Sequence, residues 1–127
     1  MWRRRSYIFE IMGFKRSKRV GDRIKEEVSD LLLRRVKDPR IGFVTITDVD
    51  VTNNLRLAKV YYSVMGSEED RRRAAEGLAS ALGFIKRELG ARLHLKYMPD
   101  VVFCYDPSLE YGERIEQILR DIKGRID

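Results

Sequence analysis

From Ser17 to Val36 the apolar residues Val20, Ile24, Val28, Leu31 and Leu32 recur three and four positions apart, with charges between them. That spacing places one stripe along one side of a helix. Asp38-Pro39 and Gly42 close it, because proline cannot continue the helical ladder and restricts the residue before it. The pattern then changes. Phe43 to Val51 is rich in Val, Ile, Thr and Phe, and beyond the turn Thr52-Asn53-Asn54 the segment Leu55 to Val64 sets Ala58, Val60, Tyr62 and Val64 against Lys59, Tyr61 and Ser63. A β-hairpin is predicted. After Gly66, Ser67 is placed to cap a second helix whose first turn holds Glu68, Glu69 and Asp70 and whose stripe is Leu78, Leu82, Ile85 and Leu89. Gly77 and Gly83 lie inside that stretch at a cost of about 1 kcal/mol each relative to alanine. Ala81-Leu82-Gly83 is therefore expected to kink the helical region into two, and Gly90 to end it. Leu93 to Tyr105 is predicted as the third strand, with Pro99 at an edge or bulge. Ser108 caps a last helix whose face of Ile115, Ile118, Leu119, Ile122 and Ile126 can pack on the sheet or meet a partner. The order is α-β-β-α-kink-α-β plus a C-terminal helix, an α+β domain.

The 127 residues are enough for one domain that buries most of its apolar surface without staples. Residues 1–14 stand apart as a tail, expected to be disordered or to lie upstream of the true start, with Met12 an alternative initiator to Met1. Their basic head resembles a secretory signal, but Glu10 interrupts the short apolar segment and no small-residue cleavage site follows. The domain proper is expected over 15–127. No run approaches the ~20 apolar residues of a membrane-spanning helix. The single cysteine, Cys104, cannot form an intramolecular disulfide and sits in an apolar run, so a cytoplasmic location is expected.

Charge is spread unevenly. Residues 1–40 carry thirteen Lys or Arg against six Asp or Glu, whereas residues 99–127 carry four against seven. A basic pole suits docking on a polyanion, where phosphate contacts supply affinity without an active site. The first candidate group is Lys15, Arg16, Lys18, Arg19 and Arg23, which precede and open the first helix. Arg34, Arg35, Lys37 and Arg40 rank second, because cations at a helix C-terminus also favour its negative end. Arg71-Arg72-Arg73 is weaker still, since Glu68, Glu69, Asp70 and Glu76 lie at pairing distance on the same helix. Tyr61, Tyr62, Tyr97, Tyr105 and Phe84 are read as core aromatics rather than stacking platforms.

Catalytic readings find little support. His94 and Cys104 are too few for a zinc site, and Asp48 and Asp50, two apart in a strand, read as the solvated face of a half-buried sheet. No cofactor or metal is expected. A small RNA-processing enzyme using Asp48, Asp50 and His94 is the alternative, but there is no Gly-x-x-x-x-Gly-Lys loop, no dinucleotide fingerprint and no second histidine. A generic RNA-binding domain, or an adaptor docking through the C-terminal helix, is a further alternative.

Four blocks in order resemble the ribosome-binding factor A family: Val20-Gly21-Asp22-Arg23-Ile24 with Lys37-Asp38-Pro39-Arg40; Val49-Asp50-Val51-Thr52 with Ala58-Lys59-Val60-Tyr61; Ala81-Leu82-Gly83 followed by Phe84-Ile85-Lys86-Arg87; and Arg92 to Ile115, through Tyr97-Met98-Pro99, Asp106-Pro107-Ser108 and Glu110-Tyr111-Gly112. The resemblance covers roughly residues 15–123. It implies a type II KH-like fold with three strands and helices on one face, in which a kink at Ala81, Leu82 and Gly83 replaces the GXXG loop of ordinary KH domains. It implies no enzymatic activity. It further implies binding to the free 30S ribosomal subunit and its 16S rRNA, promotion of 5′-end precursor processing, support of growth in the cold, and contact with other assembly factors. A second RNA-binding group, Lys86, Arg87, Arg92 and Lys96, follows from the kink, near where KH folds meet nucleic acid. A monomer is expected, since no free hydrophobic helix face is apparent.

Overall fold

A computed structural model describes the backbone of residues 2–126 and the side chains of residues 12–108 and 114–124. Its elements are α1 (Trp2–Arg34), a 3₁₀ turn (Pro39–Ile41), β1 (Val44–Val51), β2 (Leu57–Val64), α2 (Glu68–Leu93), β3 (Asp100–Tyr105) and α3 (Ser108–Ile126). The sheet order is β1-β2-β3, with β1 antiparallel and β3 parallel to the central β2. A parallel pair needs a long crossover, and α2 supplies it.

One stripe of α1, made by Ser17, Gly21, Ile24, Val28 and Leu31, is buried. It joins Leu78, Ala81, Ile85 and Leu89 of α2 and Ala58, Val60, Tyr62, Val64 and Val101 of the sheet in one core. Two glycines set how closely the layers approach. A Cβ on Gly21 would lie 3.0 Å from the Val49 carbonyl, and one on Gly77 would lie 2.8 Å from Ile41 Cγ2. Gly77 thus earns its place by admitting Ile41, which the Asp38 cap and Pro39 present to α2. The first helix starts earlier than its apolar spacing predicts. The backbone of residues 2–14, set apart on sequence as a tail, continues α1, and of these residues only Gly13 opposes a helix.

β1 does not alternate simply. Its register with β2 shifts between Ile46 and Asp48, so Thr47 has no partner of its own. This bulge moves the inward parity from Val44 and Ile46 to Val49 and Val51, and leaves Asp48 and Asp50 exposed. The second strand begins at Leu57, two residues later than predicted, because Leu55 takes a left-handed φ of 59° in the turn.

Ser67 caps α2 as predicted. Its hydroxyl accepts from the Asp70 N–H, and Asp70 Oδ2 accepts from the Ser67 N–H at 2.8 Å. Beyond that the helix departs from expectation: Glu68–Leu93 is one unbroken helix, passing through Ala81-Leu82-Gly83 without ending and restarting, and continuing past Gly90. The stripe of Ala74, Leu78, Ala81, Ile85, Leu89 and Leu93 buries along its whole length, and that burial outweighs the local cost of three glycines, Gly77, Gly83 and Gly90. His94, in the left-handed conformation, is the stop. The third strand is accordingly shorter than predicted. Arg92 and Leu93 belong to α2, residues 94–99 form a loop, and β3 starts at Asp100.

α3 forms where expected, but its apolar stripe is not covered. Ile115, Ile118, Leu119 and Ile122 are 41 to 59% exposed. The ground for expecting a monomer, the lack of a free hydrophobic helix face, is therefore removed. Ile126 of the same stripe lies outside the described side chains.

Candidate nucleic-acid interface

The core stripe of α1 leaves its opposite side to solvent, and Lys15, Arg16, Arg19 and Arg23 fall there within about a third of the helix circumference. All four are exposed, and among the described residues none has a hydrogen-bond or ion-pair partner. Lys18 lies off this ridge, 3.8 Å from Asp22 in a pair open to water. The first predicted group is thus a real ridge of four cations with Lys18 beside it.

The second group divides. Arg92 Nη1 donates to Glu27 Oε2 and to Asp30 Oδ2 on α1, both at 2.8 Å, with the arginine side chain only a quarter exposed. The bond to Asp30 first, and that to Glu27 next, raise its pKa. Lys86 donates to Asp100 Oδ1 at 2.6 Å, and that bond holds the Asp100 carboxyl below its ordinary value of 3.8. Arg92 therefore ties α2 to α1, and Lys86 ties α2 to the start of β3. Arg87 and Lys96 remain exposed and unengaged by carboxylates among the described residues.

Around Ala81 the structure brings together residues the sequence ranked lower. A shallow groove of about 270 Å³ is lined by Arg35, Val36, Lys37, Asp38, Ser80, Ala81 and Phe84. Arg35 lies 5.9 Å over the Phe84 ring. Arg40 clasps Asp38 with bonds of 2.7 to 3.1 Å and reaches Ser80 Oγ at 3.5 Å; the Arg40 guanidinium bond is the main cause of a lowered Asp38 pKa. Gly83 faces open space, with nothing within 4 Å of a Cβ placed there. Arg35 and Lys37 are the exposed cations beside the Ala-Leu-Gly motif. Pairwise spacing along the chain could not show this, because Lys37 and Ala81 are 44 positions apart in sequence with two strands between them.

The remaining candidates sort by contact. Arg72 bonds to Glu69 and Glu76, as the helical spacing predicts. Arg71 stacks 5.8 Å over Tyr105. Tyr62, 6% exposed, meets Phe103 and Tyr105 edge-to-face in the core. Of the other aromatics read as core, Phe84 and Tyr105 pack against it, Tyr61 is half-buried outside it, and Tyr97 is 76% exposed, with Lys96 Nζ 5.5 Å from its ring. No group of three or more His, Cys, Asp or Glu is placed to hold a metal among the described residues.

The arrangement offers two cationic surfaces on packed helices, and no nucleophile is set beside an acid-base pair among the described residues. Comparison with known proteins agrees with that character. A family model described as ribosome-binding factor A matches residues 16–119. Relatives named ribosome-binding factor A are 52% identical over 109 residues in Geotalea daltonii, covering 86% of this chain and 89% of that one, and 53% identical over 110 residues in Geobacter sulfurreducens, covering 87% and 93%. The solution structure of a Thermotoga maritima protein described as a putative ribosome binding factor A superposes with a TM-score of 0.55 at 31% identity, over 66% of this chain and 84% of that one. A Thermus thermophilus ribosome binding factor A, a homology model fitted into the cryo-EM map of a 30S complex, superposes with a TM-score of 0.57 at 20% identity, over 68% and 91%.

Proposed function

The chain belongs to the ribosome-binding factor A family, and from that membership we propose that it binds the free 30S ribosomal subunit through 16S rRNA and promotes maturation of the rRNA 5′ end, with its greatest importance in the cold. As a ribosome-binding factor it is not an enzyme. It acts by holding one rRNA arrangement in preference to others, which requires only differential affinity. The observation that carries this reading, beyond the family itself, is the pair of exposed cationic surfaces on packed helices. One is Lys15, Arg16, Arg19 and Arg23 along α1; the other is Arg35 and Lys37 beside Ala81, with Arg87 exposed further along α2. Their phosphate contacts supply affinity that falls with salt.

The test is sedimentation of the purified protein with separated small subunits, large subunits and joined ribosomes at low and moderate salt. Selective comigration with the free small subunit is the expected result. Equal association with every particle, lost as salt rises, would leave only a generic basic surface. Incubation with precursor rRNA and Mg²⁺ checks the non-enzymatic reading, which predicts no cleavage by the protein alone. Processing in cells lacking the protein, at low and ordinary temperature, tests the maturation and cold roles.

A further inference from the structure

α2 ends on His94 with φ 52° and ψ 35°, a left-handed conformation that few residues other than glycine adopt. The reversal turns the chain back on the core. Leu93 is buried, Leu95 and Met98 pack against the core cluster, and Pro99 is buried before β3 begins. The loop is thus fastened on both sides of Lys96 and Tyr97, and these two project into solvent. Tyr97 keeps 76% of its surface exposed, with the Lys96 ammonium 5.5 Å from its ring centroid. At the same end of the sheet the Arg56 carbonyl accepts from the Asp100 N–H at 2.8 Å, which ties the backbone at an exposed arginine to the start of β3.

A lone surface aromatic needs no explanation of its own. This one stands on a loop fastened at Leu95 and Met98, with the Lys96 ammonium against its ring. A tyrosine has only two side-chain torsions to fix and so loses little entropy on binding, and bases of any identity stack on such a face while an adjacent lysine meets the phosphate. A protein partner would call for an apolar patch around the ring. The exposed residues here are His94, Lys96, Asp100 and Arg56.

We propose that Tyr97 is a stacking platform for one unpaired base of single-stranded RNA, with Lys96 contacting the adjoining phosphate. The proposal rests on the reading that the partner is rRNA, and it adds a base contact that the two helix surfaces lack. The test uses short single-stranded RNAs carrying 2-aminopurine, whose fluorescence is quenched when it stacks, titrated with the full-length protein at several salt concentrations. Tyr97→Ala is expected to weaken binding about tenfold, to abolish the quench and to leave the salt slope unchanged. Tyr97→Phe should keep both affinity and quench. Lys96→Ala should reduce the log-log salt slope by about 0.7. A wild-type protein that gives no quench, or a Tyr97→Ala protein that binds and quenches as wild type does, overturns the platform. Sedimentation of the same proteins with small subunits separates the two failures. Wild-type comigration without an RNA quench discards the platform alone, while lack of wild-type comigration discards the wider function as well.

Discussion

Arg92 and Arg87 lie five residues apart on one helix, and both read from the sequence as RNA-facing cations. Only their surroundings separate them. Arg92 spends its charge on Glu27 and Asp30 of α1, and Arg87 has no such partner among the described residues. Arg92→Ala is therefore expected to lower the thermal midpoint, since two carboxylates lose their shared cation, and to leave the salt slope of RNA binding near wild type. Arg87→Ala should reverse the pattern, with stability kept and the slope reduced by about one. Thermal unfolding and salt titration of both variants check this. Titration supplies a second signature. Asp38, Asp100 and Asp106 are each held below their ordinary 3.8, chiefly by bonds to the side chains of Arg40, Lys86 and Thr47 respectively. A lowered carboxylate pKa means that the folded state binds fewer protons than the unfolded state. The stability from these bonds is full above the ordinary value and is lost as pH falls through and below it. Midpoints measured from pH 6 downward should drop less steeply in Asp100→Asn than in wild type.

Among the elements, those governed by burial were readable, and those governed by a single backbone conformation were not. The α1 stripe, the Ser67 cap and the hairpin follow from spacing and hydroxyl chemistry, so they appear in the sequence directly. The unbroken run of α2 does not: glycine signals local weakness, whereas the buried stripe from Ala74 to Leu93 acts over the whole length. His94 as a left-handed stop was hidden because its side chain carries no strong preference for that role. The β1 bulge was hidden because deciding parity requires the partner strand. Tyr97 was misplaced for a related reason, since a strand was expected where a fastened loop exists. Gly83 offers a direct measurement. It is helical and faces open space, so Gly83→Ala should raise stability by about 0.5–1 kcal/mol in chemical denaturation. Loss of small-subunit binding in that stabilised variant would show that the glycine serves recognition; unchanged binding would assign it to neither packing nor contact.

For the whole molecule, the candidate site comes from two kinds of information. The cations of α1 are contiguous in sequence and were legible there. The groove around Ala81 exists only because Gly77 lets Ile41 close on α2, which brings Arg35 and Lys37 beside the motif. If both surfaces face one polyanion, charge reversals on the two should compound. Arg19→Glu with Arg23→Glu, and Arg35→Glu with Lys37→Glu, should each weaken small-subunit association and flatten its salt dependence, and the four changes together should abolish it at moderate salt. Arg19, Arg23 and Lys37 are exposed and their reversal should change stability little, whereas Arg35 lies over Phe84 and 3.9 Å from Glu88 and its reversal should lower the thermal midpoint somewhat; thermal unfolding of each variant confirms that a folded but non-binding protein is being compared. Full association of the fourfold variant on sucrose gradients would remove both surfaces from the interface.

Thr47 makes the first strand and the approach to the last helix depend on each other unexpectedly. As the extra residue of β1 it is surplus to the sheet: without it, Val44, Ile46, Val49 and Val51 would fall into plain alternation. Its hydroxyl instead donates to Asp106 Oδ2 at 2.7 Å, just ahead of α3, while the Asp106 N–H donates to the Tyr62 carbonyl at 2.7 Å. Thr47 is thus a mooring point whose loss the hydrophobic frame would tolerate and the C-terminal arm would not. A chain lacking this one residue should unfold with near-normal cooperativity yet exchange the amide hydrogens of Asp106 and Ser108 markedly faster, showing an insertion kept for orientation rather than for strength.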